Sequence, residues 1–445
     1  MNQAENNPLA RNHNTLSLLK FAFPSILMML FMGLYTAVDT VFVARFVGAN
    51  ALAAINIVCP VINLIVGLGT MLATGAGAII ARKMGCRKQS EANRNLSLTL
   101  LTGAGIGLLI TVFGLLFLDR IISGLGASEI LFPYCRDYLT VQLFCAVLNL
   151  LQVLYQNLLV TAGRPSLGLL LCLLAGIANI VFDYIFIVLF RMGIRGAAIG
   201  TGLGYLIPAL GGTLFFLFGQ TQLHFGRPRI DLCFLGKSCS NGASEMVSQI
   251  AAAVTTFLFN TAMMRLLGED GVAAITVIIY SNFLLTALFI GFSMGTAPII
   301  SYSCGSRNTR QLRKTVRICF RFIAAVSVFI FLLSFLTGGK TAAVFVRNNA
   351  HVLSITRTGF SIFSFSFLFS GCNIFSSSLF TALSNGKISA VISFSRTFGF
   401  LAVFLLALPQ LFQVTGVWLA IPLAELCTFL PTICLVLRHR KDYGY

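Results

Sequence analysis

Twelve apolar stretches constrain this chain more than any other feature, with limits near 21–44, 53–79, 96–118, 132–160, 167–190, 197–219, 243–265, 272–300, 318–338, 354–382, 388–408 and 414–437. A helix of about 20 apolar residues crosses the hydrocarbon core of a bilayer. Lipid offers no partners to backbone N–H and C=O groups, so each such stretch has to satisfy its own as a helix. The polar connections are short and leave no sizeable soluble domain. The expected fold class is an all-α polytopic membrane protein of twelve transmembrane helices. Composition agrees: 57% of residues are apolar and 10% are charged, with a mean hydropathy of +0.90, whereas soluble domains are about 25% charged.

Basic residues orient the spans. With both termini on the cytoplasmic side, that side holds 22 of the 31 Lys and Arg residues, among them Arg82, Lys83, Arg87, Lys88, Lys237, Arg313, Lys387 and Arg396. The opposite side holds Arg45, Arg120, Arg136, Arg191, Arg195, Arg265, Lys340, Arg347 and Arg357. Positive charge stays inside, so the chain is expected in the plasma membrane (the bacterial inner membrane) with both ends cytoplasmic. The polar start, residues 1–20, has no apolar core and is not read as a signal peptide. The net charge of +18 fits this bias and attraction to anionic lipid. No basic run is interleaved with stacking aromatics in a polar domain, so nucleic acid is not an expected partner.

An internal repeat runs at a constant offset. RFVGANALAAI from Arg45 answers RLLGEDGVAAI from Arg265, and TGAGAIIARKMGCR from Thr74 answers MGTAPIISYSCGSR from Met294. Gly196 likewise answers Gly416. Any two apolar segments look somewhat alike, but matched Arg and Gly positions outside the apolar bulk do not arise that way. The chain therefore divides into two six-helix lobes, 1–222 and 223–445. Each lobe has an even number of spans, so the repeats are parallel, related by an axis along the membrane normal. Two such pseudo-symmetric lobes are expected to enclose a central cavity.

Charged groups inside spans are costly, by about 2.5–3.5 kcal/mol at mid-membrane on insertion scales, and commonly mark function. Four acids fall within spans: Asp39, Asp183, Glu245 and Glu425. Asn179 lies one helical turn before Asp183 and shares its face. Thr201 opens span 6 with a hydroxyl. Asp39 maps by the repeat onto Phe259, Asp183 onto Val403, Glu425 onto Tyr205 and Glu245 onto Ser25. The acids were thus added lobe by lobe to a shared scaffold. Oxygen ligands and a close carboxylate pair suit a proton or a hard cation such as Na⁺. Two readings stand for Glu245: a group facing the cavity and contacting a cationic substrate, or an N-terminal residue stabilised by the helix dipole. Glu425, mid-span 12, is a second candidate for the substrate cavity. Pro24 and Pro208 are candidate kinks in spans 1 and 6.

Enzyme constellations are absent. The four His (His13, His224, His351, His439) read as tail or loop residues. There is no HExxH, P-loop or G-x-S-x-G, and without a P-loop the chain is not expected to hydrolyse ATP. The twelve Cys are scattered with no CxxC pair, and Cys233 and Cys239 read as loop residues. No cofactor and no metal are expected beyond the coupling ion.

VDTVFVARFVG after Pro24, GTMLATGAGAIIARKMGCRK, GRPSLGLLLCLLAGIANIVFDYIFI and GIRGAAIGTGLG, with the echoes SMGTAPIISYSCGSRN and ALSNGKIS, resemble the multidrug and toxic compound extrusion (MATE) family over nearly the whole chain. The resemblance implies two six-helix lobes and export of cationic, amphipathic drugs or metabolites against an inward H⁺ or Na⁺ flux, by rocking of the lobes. In the branch with an acidic first lobe it places the coupling site on Asp39, Asn179, Asp183 and Thr201, and the family's span 7 acid on Glu245. Another branch carries an Asp in span 10, where LFSGCNIFSSSLF here has only Asn373 and serines. This concentrates the expected ion site in the first lobe. The alternative is a flippase for a lipid-linked envelope precursor, although such relatives tend to have extra spans and a basic cavity. Expected partners are small cationic substrates and membrane lipid, with the chain acting as a monomer.

Overall fold

The computed structural model describes residues 7–219, 221–345 and 350–445. Helices dominate, and no strand occurs among the described residues. In chain order the spans are α1 (Thr15–Phe46), α2 (Ala49–Gly85), α3 (Gln89–Leu116), α4 (Phe132–Phe144 with Ala146–Thr161), α5 (Pro165–Leu189) and α6 (Gly193–Phe218). The second half repeats the series as α7 (232–267), α8 (269–305), α9 (Thr309–Gly339), α10 (His351–Ala382), α11 (386–412) and α12 (414–443). α7 and α8 meet at Gly268, and α11 and α12 at Gln413, where the backbone turns out of helical geometry. The helices form two pseudo-symmetric six-helix lobes.

Backbone conformation carries the repeat. Positive φ falls at Gly48 and Gly268, at Arg87 and Arg307, and at Gly193 and Gln413. Each pair is 220 apart in number, so the same turn is built twice. The lobes also meet through reciprocal contacts. A Cβ on Gly85 would strike the Tyr302 carbonyl oxygen at 2.2 Å, and one on Gly305 would strike that of Arg82 at 2.0 Å. Gly75 and Gly242 bring α2 and α7 together in the same way, and Gly291 and Gly295 bring α8 onto α1 beside Ala22 and Ile26. Glycine is required at these points because helix backbones touch there.

All these contacts lie near the end that carries both termini. There α1, α2, α7 and α8 each bury a face, as at Leu18, Ala76, Phe234 and Ile299. Toward the other end the same helices expose Val41, Phe257 and Tyr280. One lipid environment surrounds both ends, so the difference reports a central cleft: the lobes are shut at the termini side and splayed at the far side.

Three local features depart from the sequence expectations. α7 begins at Leu232, well before 243, because Asp231 caps it by accepting the Phe234 N–H at 2.9 Å. Cys233 and Cys239 therefore lie on its first turns and not in a loop. α4 bends by 56°. At the bend the Thr111 hydroxyl of α3 donates to the Leu143 carbonyl at 2.6 Å, and a side chain drawing on a helix carbonyl is a recognised cause of kinks. Arg396 is not on the termini side; it lies midway along α11, in a π-helical segment, Ser395–Gly399. The helices are continuous through Pro24 and Pro208. His351 and His439 are on helix ends, at the start of α10 and late in α12. Arg347 lies outside the described residues. All twelve cysteines are free.

Candidate functional site

Three helices build the polar site of the first lobe. α5 packs on α1 through Gly176, whose missing side chain leaves room for Tyr35 at 3.5 Å. α6 packs on α5 through Gly196, Gly200 and Gly204, one small residue per turn along a single face. That stripe is what GIRGAAIGTGLG encodes: a close-approach surface of the kind that holds membrane helices together. A Cβ at Gly200 would come within 2.4 Å of Asp183 Oδ1, and one at Gly204 within 3.4 Å of Asn179 Cβ. Gly200 thus makes the space that the Asp183 carboxyl occupies.

Asp183 is fully buried, and Asn179 is 3% exposed. Immediately after Asp183 the helix widens into a π-helical stretch, Tyr184–Leu189, a distortion frequent at functional sites. Asp39 reaches the same place from α1, and the two carboxyl groups face each other within hydrogen-bonding range. Ionised, both are acceptors and neither can satisfy the other. Accordingly Asp39 Oδ1 and both Asp183 oxygens are buried with no donor among the described residues. Asn179 Oδ1 and Nδ2 are buried and unpartnered too. Thr201 follows Gly200, and its hydroxyl donates to the Ala197 carbonyl at 3.0 Å, which leaves its oxygen free to accept or coordinate. Buried polar groups are costly when unsatisfied. Three oxygen-bearing side chains from two helices therefore offer acceptors and lack a positive partner among the described residues. One proton shared by the carboxyl pair turns repulsion into a hydrogen bond. A hard cation on the oxygens would do the same work.

Phenols surround this cluster. Tyr138 of α4 is within the electrostatic reach of both Asp39 and Asp183, and Tyr35 and Tyr205 are within reach of Asp39. Sequence reasoning missed them because they do not stand out among the many aromatic residues of the spans. The repeat alone flags Tyr205, as the image of Glu425.

The second lobe holds a different arrangement. Glu425 is 6% exposed. Arg396 donates to its Oε1 at 3.2 Å, and Asn373, wholly buried, donates to its Oε2 at 2.7 Å and to its carbonyl at 2.9 Å. Its carboxylate is therefore held by a resident cation and an amide. Glu245 of α7 is half-buried and lies in the field of the same Arg396. Arg396 was missed because an arginine close to a helix end reads as snorkelling to the interface. The structure thus brings Asp39, Asn179 and Asp183 together, with Thr201 next to Gly200 on α6, and keeps Glu425 apart in an ion pair with Arg396, in whose field Glu245 also lies. Among the described residues no set of three or more His, Cys, Asp or Glu side chains is arranged to hold a metal.

Known proteins share this architecture. A solved outward-facing structure of a multidrug resistance MATE family transporter of the MOP superfamily superposes with a TM-score of 0.90 at 20% identity, covering 99% of this chain and 98% of that one. A MOP superfamily transporter from Pyrococcus furiosus, described as having a binding pocket of reversed polarity, also superposes with a TM-score of 0.90 at 20% identity, covering 100% and 98%. The multidrug export protein MepA of Staphylococcus haemolyticus is 23% identical over 446 residues, covering 95% of this chain and 94% of that protein. MepA of Staphylococcus aureus is 23% identical over 441 residues, covering 94% and 93%. The sequence profile of the MatE family matches residues 24–185 and again residues 246–406, once in each lobe. Twelve spans, a duplicated lobe and this double match establish that the chain belongs to the MatE family of multidrug efflux transporters.

Proposed function

We propose that this protein is a cation-coupled antiporter that exports cationic, amphipathic compounds across the plasma membrane, with its termini in the cytoplasm. The observation that carries the reading is the facing pair Asp39 and Asp183: Asp183 and Asn179 are buried, and both Asp183 oxygens and Asp39 Oδ1 have no donor among the described residues. Such a pair cannot stay doubly ionised at low cost. It takes up a proton or Na⁺ from the side where that ion is abundant. Filling it removes the repulsion between α1 and α5, and emptying it restores that repulsion. The ion thereby biases how α1 sits against α5, and with it the width of the cleft. A lipophilic cation in the cleft is drawn by unneutralised carboxylates and released when the ion replaces it. Glu245, half-buried beside the cleft, is the second-lobe group placed to meet such a cation. The excess of basic residues at the termini side supports the orientation. The MepA relatives, named as multidrug export proteins, support the substrate class.

The test is ethidium efflux in a pump-deficient host and in proteoliposomes, with Na⁺ and pH gradients imposed separately. Asp39→Asn and Asp183→Asn should each abolish gradient-driven efflux at unchanged protein level. Wild-type efflux from both variants overturns the site assignment, and the gradient that drives transport identifies the ion.

A further inference from the structure

At the shut end, away from the acidic cluster, the lobes border an open cavity of about 750 Å³. Its wall takes Arg82 and Lys83 from the end of α2 and Lys88 from the turn into α3. The other lobe contributes Lys237 from α7 and Lys387 from the first turn of α11. Glu91 and Asp231 are its acids, so five positive charges face two negative ones. The acids are already engaged. Glu91 pairs with Lys83 and Lys88, each at 3.0 Å, and Asp231 caps α7. Arg82, Lys237 and Lys387 form no ion pair among the described residues. The N-terminus of α11, at Gly386, opens at the same cavity and adds its positive end, whereas that of α7 is occupied by the Asp231 carboxylate.

We infer that this cavity binds a phosphate-bearing anion, and that the anion bridges the two lobes. Phosphate oxygens would take the three unpaired cations and the N-terminus of α11. Two sources share this chemistry: the headgroup of an anionic phospholipid such as phosphatidylglycerol, and a soluble phosphate ester. The cavity lies at the membrane edge where basic pockets between helices meet anionic headgroups. Because its walls come from both lobes, an occupant binds best when this end is shut, and it favours that state by the same factor. Cys86 lines the cavity, so occupation shields a native thiol.

The experiment uses the full chain purified in neutral detergent and titrated with phosphatidylglycerol, followed by native mass spectrometry. Maleimide labelling of Cys86, mapped by peptide, gives a second readout. A parallel arm replaces the lipid by glycerol 3-phosphate. One bound anion and slower Cys86 labelling are expected. Lys237→Gln with Lys387→Gln should weaken binding about tenfold or more, whereas Arg310→Gln with Arg313→Gln, the same charge change on the exposed face of α9, should leave it unchanged. Retention of lipid alone assigns the headgroup, and competition by glycerol 3-phosphate assigns a soluble ester. Equal weakening by both pairs, or no bound anion with either probe, overturns the site.

Discussion

A single missing methyl group sets the position of the Asp183 carboxyl. Gly200 leaves room for Oδ1, and an added Cβ would stand 2.4 Å from it. Gly200→Ala should cost about 1–3 kcal/mol as an overpacked contact and should lower efflux more than stability, read from dye transport beside thermal unfolding. In the second lobe half-buried Arg396 makes a monodentate pair with buried Glu425, with Asn373 completing it. Arg396→Gln leaves a buried carboxylate without its cation, and removing one partner of such a pair costs about 3–5 kcal/mol. The double variant Arg396→Gln with Glu425→Gln should recover most of that loss, and a thermal-unfolding double-mutant cycle measures the coupling. Asp39, Asn179, Asp183 and Thr201 were legible because carboxylates are rarely kept in lipid without a use, and because helical spacing puts Asn179 and Asp183 on one face. Arg396 was not legible. Its partners come from α10 and α12, and nothing local distinguishes a paired arginine from one that snorkels.

At the scale of elements, hydropathy foretells where helices cross the membrane but not where they begin or bend. Apolar character fades at 243, yet α7 continues back to Leu232 because an Asp cap and hydrogen bonding outlast the apolar run. The bend in α4 depends on Thr111 of another helix, so α4's own sequence does not contain it. Helix packing is more readable. Gly85 and Gly305 are images of one another under the repeat, and each presses on the backbone of the other lobe. Gly85→Ala and Gly305→Ala should therefore act alike. Each forces the shut end apart and raises the accessibility of that end to thiol labelling, to a similar extent. A large effect from one and none from the other would show that the two contacts are not equivalent.

For the whole molecule, duplication fixed the shape, and chemistry then separated the halves. One lobe holds an unpaired acidic cluster, and the other neutralises Glu425 with an internal cation. Under the proposed rocking, the first lobe answers to the ion while the second stays electrostatically settled. A further asymmetry sits in the turns. The first lobe enters α6 through Gly193, and the second enters α12 through Gln413, both at positive φ. Glycine adopts that conformation freely. Glutamine held there stores about 1–3 kcal/mol. Gln413→Gly should raise the thermal midpoint, and Gly193→Gln should lower it. The chain is thereby its own internal control: two copies of one joint, one relaxed and one sprung, differ in energy within a single molecule. Any motion that loosens these joints should begin at the sprung one, so the two lobes need not open in step.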